Sequence, residues 1–145
     1  NKTEMALGYC TMYGDMCGGL AAISDVNKIN VYRLAKYTNE KNDREIIPKS
    51  SIEKAPSAEL AENHTDEKGL GASYDILSPL VDEIVENQMS FEELSKKYSG
   101  ELVDKIISRI NNNEYKRRQA APGIKVTKKA FGVGRRIPMK HGFLK

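Results

Sequence analysis

Carboxylates, lysines and hydroxyls recur along this chain beside glycines and candidate helix starts, the setting in which phosphates and divalent cations are held. Glu4 lies three residues after Asn1. At a helix start it can ligate a cation such as Mg²⁺ or meet a metal–phosphate group; the plain alternative is a capping box, in which Asn1 and Glu4 satisfy each other's backbone. Gly14-Asp15, followed by Gly18-Gly19, sets a carboxylate in permissive backbone, although an Asp that closes its own turn has the same pattern. Lys28 falls in the first turn of a second helix, where a phosphate meets the dipole, free N–H groups and an ammonium together; a solvated surface lysine is the bland reading. Ser57 follows Pro56 and presents a hydroxyl near Glu59, or else caps a helix. His64, Asp66 and Glu67 share a polar stretch that suits a metal or lid loop, and equally a solvated acidic loop. Tyr115-Lys116-Arg117-Arg118 is the densest basic cluster. It suits phosphate, or it caps the C-terminus of a helix.

The elements that must position these groups read as mostly helical. A first helix spans about Lys2 to Met12. Leu20-Ala-Ala-Ile23 reads as one buried strand. Ser24-Asp25 starts a second helix that runs to about Tyr37, with Ile29, Tyr32 and Ala35 at helical spacing. Ser50-Ser-Ile-Glu53 is a capping-box pattern for a short turn that Pro56 stops. A polar loop follows from Glu59 to Gly71. The period then sharpens: Ile76, Leu77, Leu80, Val81, Ile84 and Val85 mark a strong amphipathic helix. Ser90-Phe-Glu-Glu93 is another capping box, and the longest helix is expected from about Glu101 to Arg118. Beyond Pro122-Gly123 the chain reads as extended. A lone strand is not stable in isolation, so this one needs partners across an oligomer or in a larger parallel sheet.

Composition narrows the function classes. The 145 residues are 39% apolar and 30% charged, a globular balance. No run approaches the roughly 20 apolar residues of a membrane span, and no secretion-signal pattern stands at the start. Cys10 and Cys17 fit neither CxxC nor a disulfide framework, which points to a reducing, cytoplasmic setting. Charge is segregated: up to Glu114 there are 13 basic and 20 acidic side chains, and after it 10 basic and none acidic. Such a segment pairs with phosphates, an acidic partner or its own acidic body. Gly132-Val-Gly134 lacks the third glycine of a dinucleotide motif, with Ile137 in its place, and there is no P-loop, GxSxG or HExxH.

The order of these segments is more specific than any one of them. Asn1-Lys-Thr-Glu4, Gly8-Tyr-Cys-Thr-Met-Tyr-Gly-Asp15, Gly18-Gly-Leu-Ala-Ala-Ile-Ser-Asp25, Lys28, Ala55-Pro-Ser-Ala-Glu-Leu60, Asp66-Glu67, Tyr74-Asp75, Glu114-Tyr-Lys-Arg-Arg-Gln119 and Phe131-Gly-Val-Gly-Arg-Arg-Ile-Pro138 form one series. It covers essentially the whole chain and resembles the C-terminal half of the synthetase domain of NAD synthetases, in their glutamine-dependent, two-domain form.

The resemblance implies an α/β parent fold, Rossmann-like and of the ATP-pyrophosphatase (adenine nucleotide alpha hydrolase) type. Residues 1–145 would be its C-terminal portion, mostly α with one or two short strands, and 120–145 a basic extended tail. It implies adenylation of the nicotinate carboxylate of deamido-NAD by ATP, then attack by ammonia. Lys28 and Ser57 match ATP-binding positions. Glu4, Asp15, Tyr115 and Lys116 match deamido-NAD-binding positions, Glu4 also meeting Mg²⁺. Asp66 and Glu67 fall in a loop expected to close over the site. No residue is assigned to catalysis itself. A nitrilase-like glutaminase domain would supply ammonia, and a homo-oligomer is expected, with no membrane or nucleic-acid partner. The family's Ser-Gly-Gly-x-Asp-Ser pyrophosphate loop occurs nowhere in these residues, so the chain is expected to be a C-terminal piece that is inactive alone. The rival reading is a basic-tailed helical module that binds nucleic acid or an acidic protein. Another ATP-pyrophosphatase relative and a purely structural dimerisation domain are further rivals.

Overall fold

The computed structural model describes residues 1–57 and 65–139. Glu59, His64, His141 and the end of the basic tail lie outside them. Eight helices and two very short strands make up the described chain: α1 (Lys2–Leu7), α2 (Lys28–Lys41), α3 (Lys49–Glu53), α4 (Asp66–Leu70), α5 (Tyr74–Val85), α6 (Phe91–Leu94), α7 (Gly100–Asn112), α8 (Glu114–Arg117), β1 (Ala130–Phe131) and β2 (Gly134–Arg135).

Three helices enclose the core. Ala6 and Leu7 of α1, Leu77, Leu80, Val81 and Val85 of α5, and Val103, Ile106 and Ile110 of α7 are fully buried, with Leu70 and Leu94 closing the ends. Each such valine, leucine or isoleucine side chain contributes roughly 1.5–3 kcal/mol on leaving water. The apolar spacing of α5 and α7 in the sequence is the spacing that packs. In contrast, α2 buries no residue fully. It lies on the outside and gives one face to the site.

Several local expectations are corrected. The first helix stops at Leu7 because Gly8 takes a left-handed φ of 68°. A β-carbon there would also collide with the Asn113 side chain. The buried strand at Leu20–Ile23 is absent: Ala21 makes a single parallel bridge to Gly123, and turns occupy residues 22–25. With no neighbouring strands among the described residues, the apolar run has no sheet to join. The second helix begins at Lys28 under an Asn27 cap, not at Ser24-Asp25. The Asp25 carboxylate is committed elsewhere, accepting from the backbone N–H groups of Val126 (2.8 Å) and Thr127 (2.7 Å). The short helix α3 starts after Pro48 with no side-chain cap, so the Ser50 box does not form. Part of the expected polar loop is the helix α4, capped by Thr65. The helix expected from Glu101 to Arg118 breaks at Asn113, whose amide donates to the carbonyls of Leu7 and Arg109, and α2, with 14 residues, is the longest among the described residues. Other expectations hold: Asn1/Glu4 and Ser90/Glu93 both form full capping boxes.

The basic segment folds back on the body. β1 and β2 are the arms of one tight turn, in a two-residue parallel register. Lys2, fully buried, ties this segment down. Its ammonium meets Asp25 (3.0 Å), Glu86 (2.7 Å), the Thr127 hydroxyl (2.7 Å) and the Lys129 carbonyl (3.0 Å). A buried ammonium demands such compensation.

Candidate functional site

The start of α1 meets the start of α2. The capping box turns Glu4 toward α2, and the Thr3 hydroxyl accepts the Lys28 backbone N–H at 3.1 Å, fixing where α2 begins. The Lys28 ammonium then donates to Glu4 Oε1 at 2.7 Å. Burial by itself would push the Glu4 carboxyl up. The hydrogen bond from Lys28 and the neighbouring positive charges outweigh it, and Glu4 is held below its ordinary range. Tyr32, one turn along α2, and Tyr74, the first residue of α5, bring their rings to 5.7 and 5.2 Å from the same ammonium. Ring faces at this distance attract the ammonium and help to hold it in place.

A cavity of about 320 Å³ opens beside this pair. Glu4, Asp15, Lys28, Ser57 and Asp66 line it, joined by Tyr9, Tyr32, Ser51 and Lys54. Five residues singled out in the sequence thus converge from separate segments. Asp15 is held at the rim: its Oδ1 accepts from the Thr11 N–H (2.6 Å) and hydroxyl (2.5 Å). Asp15 thus closes its own turn and also lines the cavity. Asp66 is buried. Its Oδ2 accepts the Tyr74 hydroxyl at 3.0 Å, while Oδ1 has no partner among the described residues. Glu67 does not line this cavity; it accepts the Tyr74 backbone N–H at 3.0 Å and so joins α4 to α5. A second cavity, of about 290 Å³, shares Glu4 and Asp15 with the first and is otherwise walled largely by small and apolar side chains such as Met16, Leu20, Ala21 and Ile23.

The basic cluster lies elsewhere. Lys116 donates to the carbonyls of Gly8 (2.7 Å) and Cys10 (2.9 Å), beyond the C-terminus of α1. Arg117 is buried; it pairs with Glu114 at 3.0 Å and donates to the carbonyls of Met5, Ala6 and Ile110. Its guanidinium lies 4.6 Å from the Phe131 ring. Arg118 also reaches Glu114. Tyr115 is exposed. Arg117 thus serves helix carbonyls and Lys116 the carbonyls just beyond α1.

Sequence reasoning gave no site role to Tyr32 and Lys54, which line the cavity, or to Tyr74, which touches Lys28 and Asp66 beside it. Lys28 and Tyr32 are four apart on one helix and must share a face, but Tyr32 has the spacing of a core residue. Tyr74 and Lys54 become site residues only through contacts distant in sequence.

Carboxylates, an ammonium and hydroxyls thus surround one cavity, with a more apolar cavity beside it. The chain belongs to the NAD synthase family, whose sequence pattern matches residues 1–120. It is 46% identical over 144 residues to the glutamine-dependent NAD(+) synthetase of Synechocystis, a match covering 99% of this chain and 25% of that protein. The corresponding enzyme of Aquifex aeolicus is 44% identical over 146 residues, covering 100% of this chain and 25% of the relative. A solved glutamine-dependent NAD+ synthetase from Acinetobacter baumannii, in complex with ADP, is 36% identical, with 96% of this chain and 24% of that one aligned at a TM-score of 0.44. The chain spans about a quarter of the length of the curated relatives it matches.

Proposed function

We propose that this chain is the C-terminal portion of the synthetase domain of a glutamine-dependent NAD synthetase, with a Rossmann-like ATP-pyrophosphatase parent fold. The observation that carries the proposal is the meeting of the two cavities at Glu4 and Asp15. The polar cavity suits ATP phosphates and the more apolar one suits the nicotinate end of deamido-NAD, so the reacting carboxylate would lie at their common wall.

In the reaction, a nicotinate carboxylate oxygen attacks the α-phosphorus of ATP, the bond to the bridging oxygen breaks, and pyrophosphate leaves. Ammonia then attacks the acyl carbon, loses a proton, and expels AMP. Both steps gather negative charge, which fixed cations in a partly dehydrated site must offset. Lys28 serves this end: Glu4 and two rings hold its ammonium at the cavity, and it keeps N–H donors beyond the one given to Glu4. Ser57 would donate to a phosphate oxygen. Tyr115 and Lys116 would act on the deamido-NAD side, Lys116 through the Gly8–Cys10 carbonyls that lead into the Asp15 turn.

The donor set fits Mg²⁺. No group of three potential ligands is gathered among the described residues, yet Mg²⁺ is ordinarily held by one or two carboxylates plus phosphates. Glu4 and the buried, half-unpartnered Asp66 would supply those carboxylates. When bound, the ion would neutralise phosphate charge. Asp66 and Glu67 would belong to a loop that closes over the site. We further propose a cytoplasmic homo-oligomer, fed with ammonia by a nitrilase-like glutaminase domain.

The test uses the protein encoded by the open reading frame that contains this chain. With deamido-NAD, ATP, Mg²⁺ and glutamine, NAD and AMP should form one for one. ADP in place of AMP, or no NAD even with added ammonia, would contradict the proposal.

A further inference from the structure

We infer that Tyr74 is a positioning residue of the site: its ring steadies the Lys28 ammonium and its hydroxyl fixes Asp66, so one buried side chain aims a cation and a carboxylate into the same cavity. Given the ATP-handling role proposed above, it would act on the nucleotide step without touching the nucleotide.

Tyr74 is 4% exposed and Asp66 5%. The hydroxyl donates to Asp66 Oδ2 at 3.0 Å, and the Tyr74 backbone N–H donates to Glu67 Oε1 at 3.0 Å. The first residue of α5 thus holds the first two residues of α4. With Oδ2 taken, Oδ1 is left as a buried carboxylate oxygen that has no donor among the described residues, on a residue that lines the cavity. Leaving such an oxygen unpaired is costly. A ligand that brings an O–H, an N–H or a hydrated cation removes that cost. On the other side of the ring, the Lys28 ammonium lies 5.2 Å from the Tyr74 centroid. The ring face attracts the ammonium without using up a strong N–H donor, so the lysine remains able to bind an anion. The ligand chemistry is therefore an anionic group beside a hydrogen-bond donor or hydrated cation. A merely packed tyrosine would need neither the bond to Asp66 nor the contact with Lys28.

The experiment is a double-mutant cycle in the full protein, with Tyr74→Phe, Asp66→Asn and the pair, read as kcat/KM for ATP and as thermal midpoint. Tyr74→Phe keeps the ring and removes one oxygen. Each single change should lower kcat/KM about tenfold, the loss expected when one strong hydrogen bond goes. The pair should fall no further than either alone, because the second change removes what the first already released. Unchanged activity in Tyr74→Phe, or losses that multiply to about a hundredfold in the pair, would overturn the inference. If Tyr74→Phe does not fold, Asp66→Asn decides alone: its amide oxygen still accepts the tyrosine hydroxyl, so unaltered kcat/KM contradicts a role for Oδ1. A wild-type protein that makes no NAD overturns the proposed function and this inference together. An active wild type with multiplying losses overturns this inference only.

Discussion

Glu4 shows how one side chain can serve a helix and a site together. Its carboxylate closes the capping box with Asn1 and also accepts the Lys28 ammonium. Because its folded pKa lies below the ordinary value of 4.5, the sign of its linkage is fixed. Its contribution to stability is complete above the unfolded pKa and is lost as pH falls through the lower folded one. Glu4→Gln preserves the capping pattern and removes the charge. Urea midpoints followed from pH 7 into acid should therefore fall less steeply in Glu4→Gln than in wild type. Parallel curves would show that the Lys28 pair contributes nothing to folding. At this scale much of the site is legible in the sequence. Glu4, Asp15, Lys28, Ser57 and Asp66 are the kinds of residue that handle phosphate, and they do converge. What the sequence does not show is their partners: that Tyr74 stands between Lys28 and Asp66 depends on how α2, α4 and α5 pack.

Helices are legible in the sequence where periodicity and packing agree, as in α5 and α7. Their boundaries are not where a distant side chain decides them. Ser24-Asp25 has the form of a cap, yet Asp25 binds the backbone at Val126 and Thr127, and the helix waits for Asn27. Asn113 likewise ends α7 by reaching the last turn of α1. The Lys2 hub follows the same rule. Lys2 is fully buried between Asp25, Glu86 and the segment around Thr127, partners far away in sequence. Lys2→Met would leave two carboxylates without their counter-charge, a change that costs about 3–5 kcal/mol. Equilibrium urea unfolding should register that loss. A change under about 1 kcal/mol, the range of an exposed pair, would show that the hub does not hold the basic segment to the body.

For the whole molecule, the segregated charge has a mundane resolution in part. Lys116 is turned onto the Gly8 and Cys10 carbonyls, Arg117 onto helix carbonyls and Glu114, and Arg118 onto Glu114 and the Ile137 carbonyl, so these charges are met within the chain. Apolar side chains around the Ala21–Gly123 bridge remain exposed, among them Leu20, Ile23, Ile124 and Val126. The described chain offers one bridge there in place of a sheet, so the parallel architecture proposed for the parent fold is written in the family resemblance and not in these helices. The same holds for phosphate binding: the Ser-Gly-Gly-x-Asp-Ser loop is absent from the sequence, and the 145-residue chain alone is expected to make no NAD. The central claim is that the Glu4–Lys28 cavity handles ATP in an NAD-forming ligase. Its most direct test is NAD formation from deamido-NAD, ATP, Mg²⁺ and glutamine by the full protein, wild type beside Lys28→Met. The account predicts NAD and AMP from wild type, and a loss of roughly tenfold or more in kcat/KM for ATP when the ammonium is removed. Equal rates in the two proteins, with normal folding, would contradict it.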